Sequence, residues 1–229
     1  VAFDARISFD QWIRYVFDHP VTNPITELGW SHNMDAVLLE ALFRSIRPED
    51  VIAYLTRTFE ECDTVLSPFS DAQVNQGLHF LVSAESDYMH DLKDTDVNLP
   101  DRLRCIHAMA TLFERCFARR LPSDQPSHEG TNPLHQVCYI WWDALPLHYL
   151  SYKHPDEDEL DRAIVTVLRR ILELDSVACQ ESALFTLADW QTYPEVSENI
   201  SDFLDRKPSI LEKLSPALRK YVVEASLPQ

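Results

Sequence analysis

Apolar residues return every third or fourth position over most of the chain, the spacing that one face of an α-helix requires. Phe9, Trp12, Ile13, Val16 and Phe17 make such a face behind Ser8, predicting a helix that Ser8 caps and His19-Pro20 ends. The run VTNPITELGWSHN reads as a loop. Met34, Leu38, Ala41 and Leu42 then predict a helix over 34–46, and RPED at 47–50 starts another carrying Val51, Leu55 and Phe59, the two as an antiparallel pair. Ser70 with Gln73 matches a capping box ahead of Val74, Gly77, Leu78 and Leu81. A long helix over 100–121 repeats Leu103, Ile106, Ala110, Phe113 and Phe117, with arginines on its other sides.

The second half continues the pattern. PSDQPSHEGTN at 122–132 is a linker, and Asn132-Pro133 opens LHQVCYIWWDALPLH. There Leu134, Val137, Cys138, Trp141, Ala144 and Leu145 fill one arc that Ile140 and Trp142 widen, predicting a central helix packed on several sides. PDEDELDRAIVTVLRRILEL sets acids in its first turn and arginines later, as the helix dipole favours. A turn at Asp175-Ser176 leads into SVACQESALFTLADW, apolar around most of its circumference, and two further helices follow at 194–206 and 215–226. No segment alternates with a period of two. The fold class expected is all-α: one domain over 1–229, with sub-halves 1–121 and 132–229, and about ten helices in antiparallel hairpins. QGLHFL at 76–81 and SALFTL at 182–187 echo one another, a small residue, Leu, two positions and Leu, and the small residue is expected to admit a neighbouring helix.

The hairpin from Asp161 to Tyr193, with DSVACQESALFTLADW as its second helix, resembles HEAT-like α-solenoid repeats, and the chain is similar to functionally unassigned bacterial helical proteins of that kind. The resemblance is best over the last 75 residues and implies a right-handed stacked array serving as a protein-binding scaffold.

Composition narrows the chemistry. Only three glycines occur, Gly29, Gly77 and Gly130, too few for hairpins or a Gly-rich phosphate loop. The net charge is −17, and residues 1–100 hold 17 acidic against 6 basic side chains. Such a field repels nucleic acid and anionic lipid and attracts basic partners. Five cysteines, Cys62, Cys105, Cys116, Cys138 and Cys179, lie inside apolar helical patterns without a disulfide framework, as expected in a reducing compartment. VAFDARIS lacks a signal-peptide pattern, and no apolar run approaches the roughly 20 residues of a membrane span. The localisation expected is cytoplasmic.

Gln180 and Glu181 sit beside the apolar arc of their helix, where they bond either the free ends of nearby helices or a reacting group; scaffolding is the simpler reading. Trp141, Trp142 and Asp143, with Glu181, outline a pocket for a small ligand or a helical enzyme's substrate. His135 and Cys138 lack the further ligands of a zinc site, DEDELD at 156–161 lacks a second acidic motif for Mg²⁺, and no nucleophile elbow appears, so no catalytic residue, metal or cofactor is expected. The acidic stretch 83–100 reads as a surface loop in which Asp87, Tyr88, Asp91, Asp94 and Asp96 combine charge with an aromatic anchor, and Met89 and Leu92 add apolar surface that a loop cannot bury. These five are the expected partner-binding residues. The function expected is a non-catalytic protein-binding module, most specifically an acidic immunity protein that neutralises a basic toxin domain. The pocket reading is the alternative, and a general scaffold with several partners is a third.

Overall fold

The computed structural model describes residues 7–21, 43, 45–83, 86–147, 154–190 and 193–227, and all regular structure in them is helical. Helix α1 (Phe9–Phe17) begins where Ser8 Oγ accepts the Gln11 amide at 3.3 Å while Gln11 Oε1 accepts the Ser8 amide at 2.8 Å, a reciprocal cap for two otherwise free donors. The expected helix over 34–46 falls outside the described residues except for Phe43, Ser45 and Ile46. Helix α2 (Pro48–Glu60) starts on a proline and runs on into the short α3 (Cys62–Val65). Ser70 and Gln73 form the second capping box, opening α4 (Asp71–Val82).

Helix α5 (Leu99–Leu112) passes through a π-helical turn, Phe113–Phe117, into α6 (Ala118–Arg120), so the rod expected over 100–121 is continuous with one widened turn. Asn132 Oδ1 accepts the Leu134 amide at 2.9 Å at the head of α7 (Leu134–Ala144). Helices α8 (Glu157–Leu172), α9 (Val177–Asp189) and α10 (Pro194–Arg206) follow, then the short α11 (Ile210–Lys213) and α12 (Pro216–Ala225), which Ser215 caps. The described residues thus hold more α-helical segments than the ten expected, because α3, α6 and α11 are too short to show a period in sequence.

The helices pack in two rows. One is α2, α5 and α8; the other is α1, α4, α7, α9 and α12. Neighbours in the first row run parallel: Thr56 meets Cys105 and Cys62 meets Thr111, while Arg102 reaches Asp156 and Arg170 reaches Glu114. Each row buries its apolar stripe against the other, and a single contiguous core extends from Phe9 to Ala225. Trp141 is fully buried at its centre, meeting the rings of Phe59, Phe113 and Phe117 edge-on.

Polar ties cross between distant segments. Arg120 donates to Asp71 Oδ1 at 3.1 Å and to the Leu66 carbonyl at 2.7 Å, and Asn132 donates to the other oxygen of Asp71 at 2.8 Å, so the starts of α4 and α7 are knotted to the end of α6. Tyr193 donates to Asp161 and Tyr221 to Asp189, each tyrosine closing an acid 32 residues back in the chain. Burial holds the Asp161 carboxyl above its ordinary range, and the Tyr193 bond works against that rise.

Gly77 is where α1 meets α4. A Cβ there would lie 2.2 Å from Phe17 Cδ1 and 2.9 Å from the Val16 carbonyl oxygen, and since the second is backbone, the helix itself would have to retreat. The small residue of the QGLHFL echo therefore does admit a neighbour. Gly77→Ala is expected to destabilise the fold by about 1–3 kcal/mol, overpacking outweighing the ~1 kcal/mol gain in helix propensity, as measured by the midpoint of urea unfolding.

Candidate functional site

The acidic segment after α4 is a docked turn. Ser86 Oγ donates to the Leu81 carbonyl at 3.2 Å and accepts the Tyr88 amide at 3.3 Å. Asp87 then takes φ 58°, a left-handed conformation that turns the chain into a 3₁₀ helix, Tyr88–Lys93. With three residues per turn, Met89 and Leu92 fall on one side, and Asp91 follows Tyr88 inward. Tyr88 is only 5% exposed, its ring beside Trp12 and Phe80 and its hydroxyl donating to the Phe43 carbonyl at 3.3 Å.

This corrects the expectation of an exposed aromatic anchor. Tyr88, Met89 and Leu92 are all core residues, because a 3₁₀ turn repeats its side chains in a way that a loop reading does not anticipate. Of the five expected partner-binding residues, Asp87 and Asp96 are exposed, Asp91 and Asp94 are half-buried and Tyr88 is inside. Asp94 Oδ1 accepts the Asp96 amide at 2.9 Å, and Asp87 lies 3.5 Å from His90 Nδ1.

The turn is held from beneath by Arg102. Its side chain is buried, donating to the Val97 carbonyl at 3.0 Å, the Leu92 carbonyl at 3.4 Å and Asp156 Oδ2 at 2.5 Å. His154 Nε2 lies 2.8 Å from the Lys93 carbonyl on the same side. Fixed in this way, Asp91 faces Asp94, Asp87 and, from the start of α2, Glu49. Burial first, then these three carboxylates, push the Asp91 carboxyl up to about 6. Glu49 was not among the expected residues, and no local signal marks it: an acid in a first helical turn is ordinary.

Glu49 also lines a groove of about 370 Å³ between α2 and α5. Its floor is Ile52, Thr56 and Val97, all buried, and its walls carry Arg57, Glu60, Asp101 and Arg104. Arg104 donates to both oxygens of Glu60 at 2.9 and 2.7 Å, and Arg57 pairs with Glu61 at 3.1 Å.

The residues of the alternative pocket are engaged elsewhere. Trp142 stacks on Phe113, Trp141 is enclosed by three phenylalanines, and Asp143 is exposed. Glu181, 1% exposed, accepts the Ser127 amide at 2.6 Å with one oxygen and lies 3.1 Å from His128 Nδ1 with the other. Gln180 donates to the carbonyls of Leu172 and Leu174 at 3.1 and 2.5 Å, closing the end of α8. Both side chains of the SVACQES stretch therefore tie linkers and helix ends to the core.

His135 packs its ring over Gly130, with Nδ1 3.2 Å from the Asn132 carbonyl, and Cys138 faces the Cys179 thiol. Burial pushes Cys62 up to about 11 and Cys105 and Cys116 up to about 12, and raises Cys138 well above the ordinary thiol value, so these thiols stay protonated at neutral pH. Among the described residues, no three His, Cys, Asp or Glu side chains are grouped to hold a metal ion, and no helix is long and apolar enough to cross a membrane. No protein-family model, curated protein or solved structure matches the chain.

Two outcomes follow from this geometry. The raised carboxyl of Asp91 favours the fold when protonated, so its contribution is full below about pH 4 and is lost as pH rises through about 6. Asp91→Asn should therefore match the wild type near pH 4 and exceed it by about 1 kcal/mol at pH 8, after discounting for solvent screening, in urea unfolding at both pH values. Glu181→Ala, which strands the Ser127 amide, should cost about 2–3 kcal/mol, and Glu181→Gln, which keeps an acceptor, roughly half of that.

Proposed function

We propose that the chain is a non-catalytic protein-binding module that presents an acidic face to a basic protein, in its most specific form an immunity protein that occludes a toxin domain. The observation that carries this reading is the convergence of Asp87, Asp91 and Asp94 with Glu49 on a turn docked into the core. Carboxylates held together against their mutual repulsion are stabilised by an incoming cation, and a net charge of −17 steers such a partner from a distance.

The HEAT-like, right-handed array is part of the same reading. It is supported by the parallel succession of α2, α5 and α8 in one row, with α4, α7 and α9 in the other. A cytoplasmic setting is supported by five free, buried cysteines. The pocket alternative has less behind it, since Trp141, Trp142 and Glu181 are spent on packing and on the 127–128 turn.

The reading is tested by affinity capture of the tagged chain from its native cell at low and moderate salt. A single stoichiometric basic protein is expected. Its association rate should fall by about tenfold or more between 20 and 200 mM salt and drop again when Asp87, Asp91 and Asp94 are changed to Asn. A captured partner that is indifferent to salt and to those changes would overturn the acidic face, and an empty capture would overturn the module.

A further inference from the structure

The groove between α2 and α5 lies beside the acidic turn, and Glu49 belongs to both. Its charge is uneven along its length. At the end made by the later parts of the two helices, Arg104 is closed on Glu60 and Arg57 on Glu61, so cation and anion cancel. At the other end stand Glu49 and Asp101, both exposed, and among the described residues neither makes an ion pair. The two helix N-termini offset part of that charge, about half a unit each. Against Glu49 and Asp101 with Asp87, Asp91 and Asp94 nearby, this leaves the end strongly negative.

Beneath these acids the floor is apolar, Ile52 and Val97 being 1% and 2% exposed, with the Thr56 hydroxyl turned back to the Ile52 carbonyl at 2.7 Å. An apolar floor with carboxylates at one mouth suits a side chain having a long methylene stem and a cationic head. Because the groove is open along the surface, it suits a residue delivered on an extended segment.

Resting on the reading of an acidic protein-binding module, we propose that this groove is the anchor site of the interface. It takes one arginine or lysine from an extended basic segment of the partner protein, stem over Ile52 and Val97, head between Glu49 and Asp101. It thereby supplies the buried anchor that Tyr88 does not. The first turn of α8, with Glu157, Asp158 and Glu159, is a second acidic helix start that takes no part in lining this groove, and provides an internal control.

The test is a titration of the intact ¹⁵N-labelled protein with acetyl-Gly-Arg-Gly-Arg-Gly-Arg-amide at low salt, followed by amide shifts. Saturable changes are expected at Glu49, Ile52, Ala53, Asp101 and Arg104, with smaller ones at Asp158 and Glu159. Glu49→Gln with Asp101→Asn, both at exposed positions, should weaken binding about fivefold or more while leaving the rest of the spectrum in place. Equal shifts at both acidic sites, no saturation, or an unchanged affinity in the double variant would overturn the proposal. A captured cellular partner that binds the double variant as tightly as the unaltered chain would reject the groove and leave the acidic module standing. Seating of the peptide in the groove with no partner in the cell would do the reverse.

Discussion

A guanidinium taken out of water must recover its hydrogen bonds inside the protein or cost several kcal/mol, and Arg102 recovers them from three acceptors in two separate parts of the chain. Two backbone carbonyls, of Leu92 and Val97, come from the acidic turn, and the carboxylate of Asp156 comes from the head of α8. The side chain itself stands on α5. One buried charge therefore fixes where the turn sits, how α8 enters its row and where Val97 lies as floor of the α2–α5 groove. The acids of the turn can be crowded together only because this anchor, with Tyr88, Met89 and Leu92 in the core, holds the backbone against their repulsion.

The same economy governs the other buried polar groups. A helical protein leaves free amides and carbonyls at the ends of its helices, and here side chains on distant helices satisfy several of them. Gln180 closes the end of α8, Glu181 receives the amide that opens the 127–129 turn, and Arg120 takes the Leu66 carbonyl beyond α3. Ser182 Oγ donates to the Cys138 carbonyl at 2.7 Å, joining α9 to α7. Groups that look like chemistry in a list of residues act as joints between linkers and rows. On the acidic turn and the adjoining starts of α2 and α5, by contrast, Asp87, Asp91, Asp94, Glu49 and Asp101 bring charge of one sign together.

That asymmetry connects architecture to the proposed activity. Carboxylates dispersed over a surface only raise solubility, whereas Asp94, Asp87 and Glu49 stand near enough to Asp91 to add to the rise that burial causes in its carboxyl. A partner that brings positive charge relieves a repulsion already built into the fold. An apolar-floored groove at the edge of that field adds a place for the contact to become specific.

The sequence by itself determined the helical class, the Ser8 cap, the Ser70–Gln73 capping box, the approximate bounds of α7 to α10 and of α12, and the inward faces of nearly every long helix, because these depend on residues three or four apart. It also pointed to a close neighbour at Gly77 and favoured a scaffolding part for Gln180 and Glu181, both from small size or polarity on an apolar arc. Only the tertiary structure decided that Tyr88 is inside, since one 3₁₀ turn of six residues has no period long enough to be seen and its burial depends on Trp12, Phe80 and Phe43. It alone decided that Glu49 joins Asp91, that Asp101 shares a groove with residues about fifty positions earlier, and that Arg102 is a core residue. Pairings of that range are set by how rows of helices stack, and a charged side chain reads the same in sequence whether water or a buried carbonyl receives it.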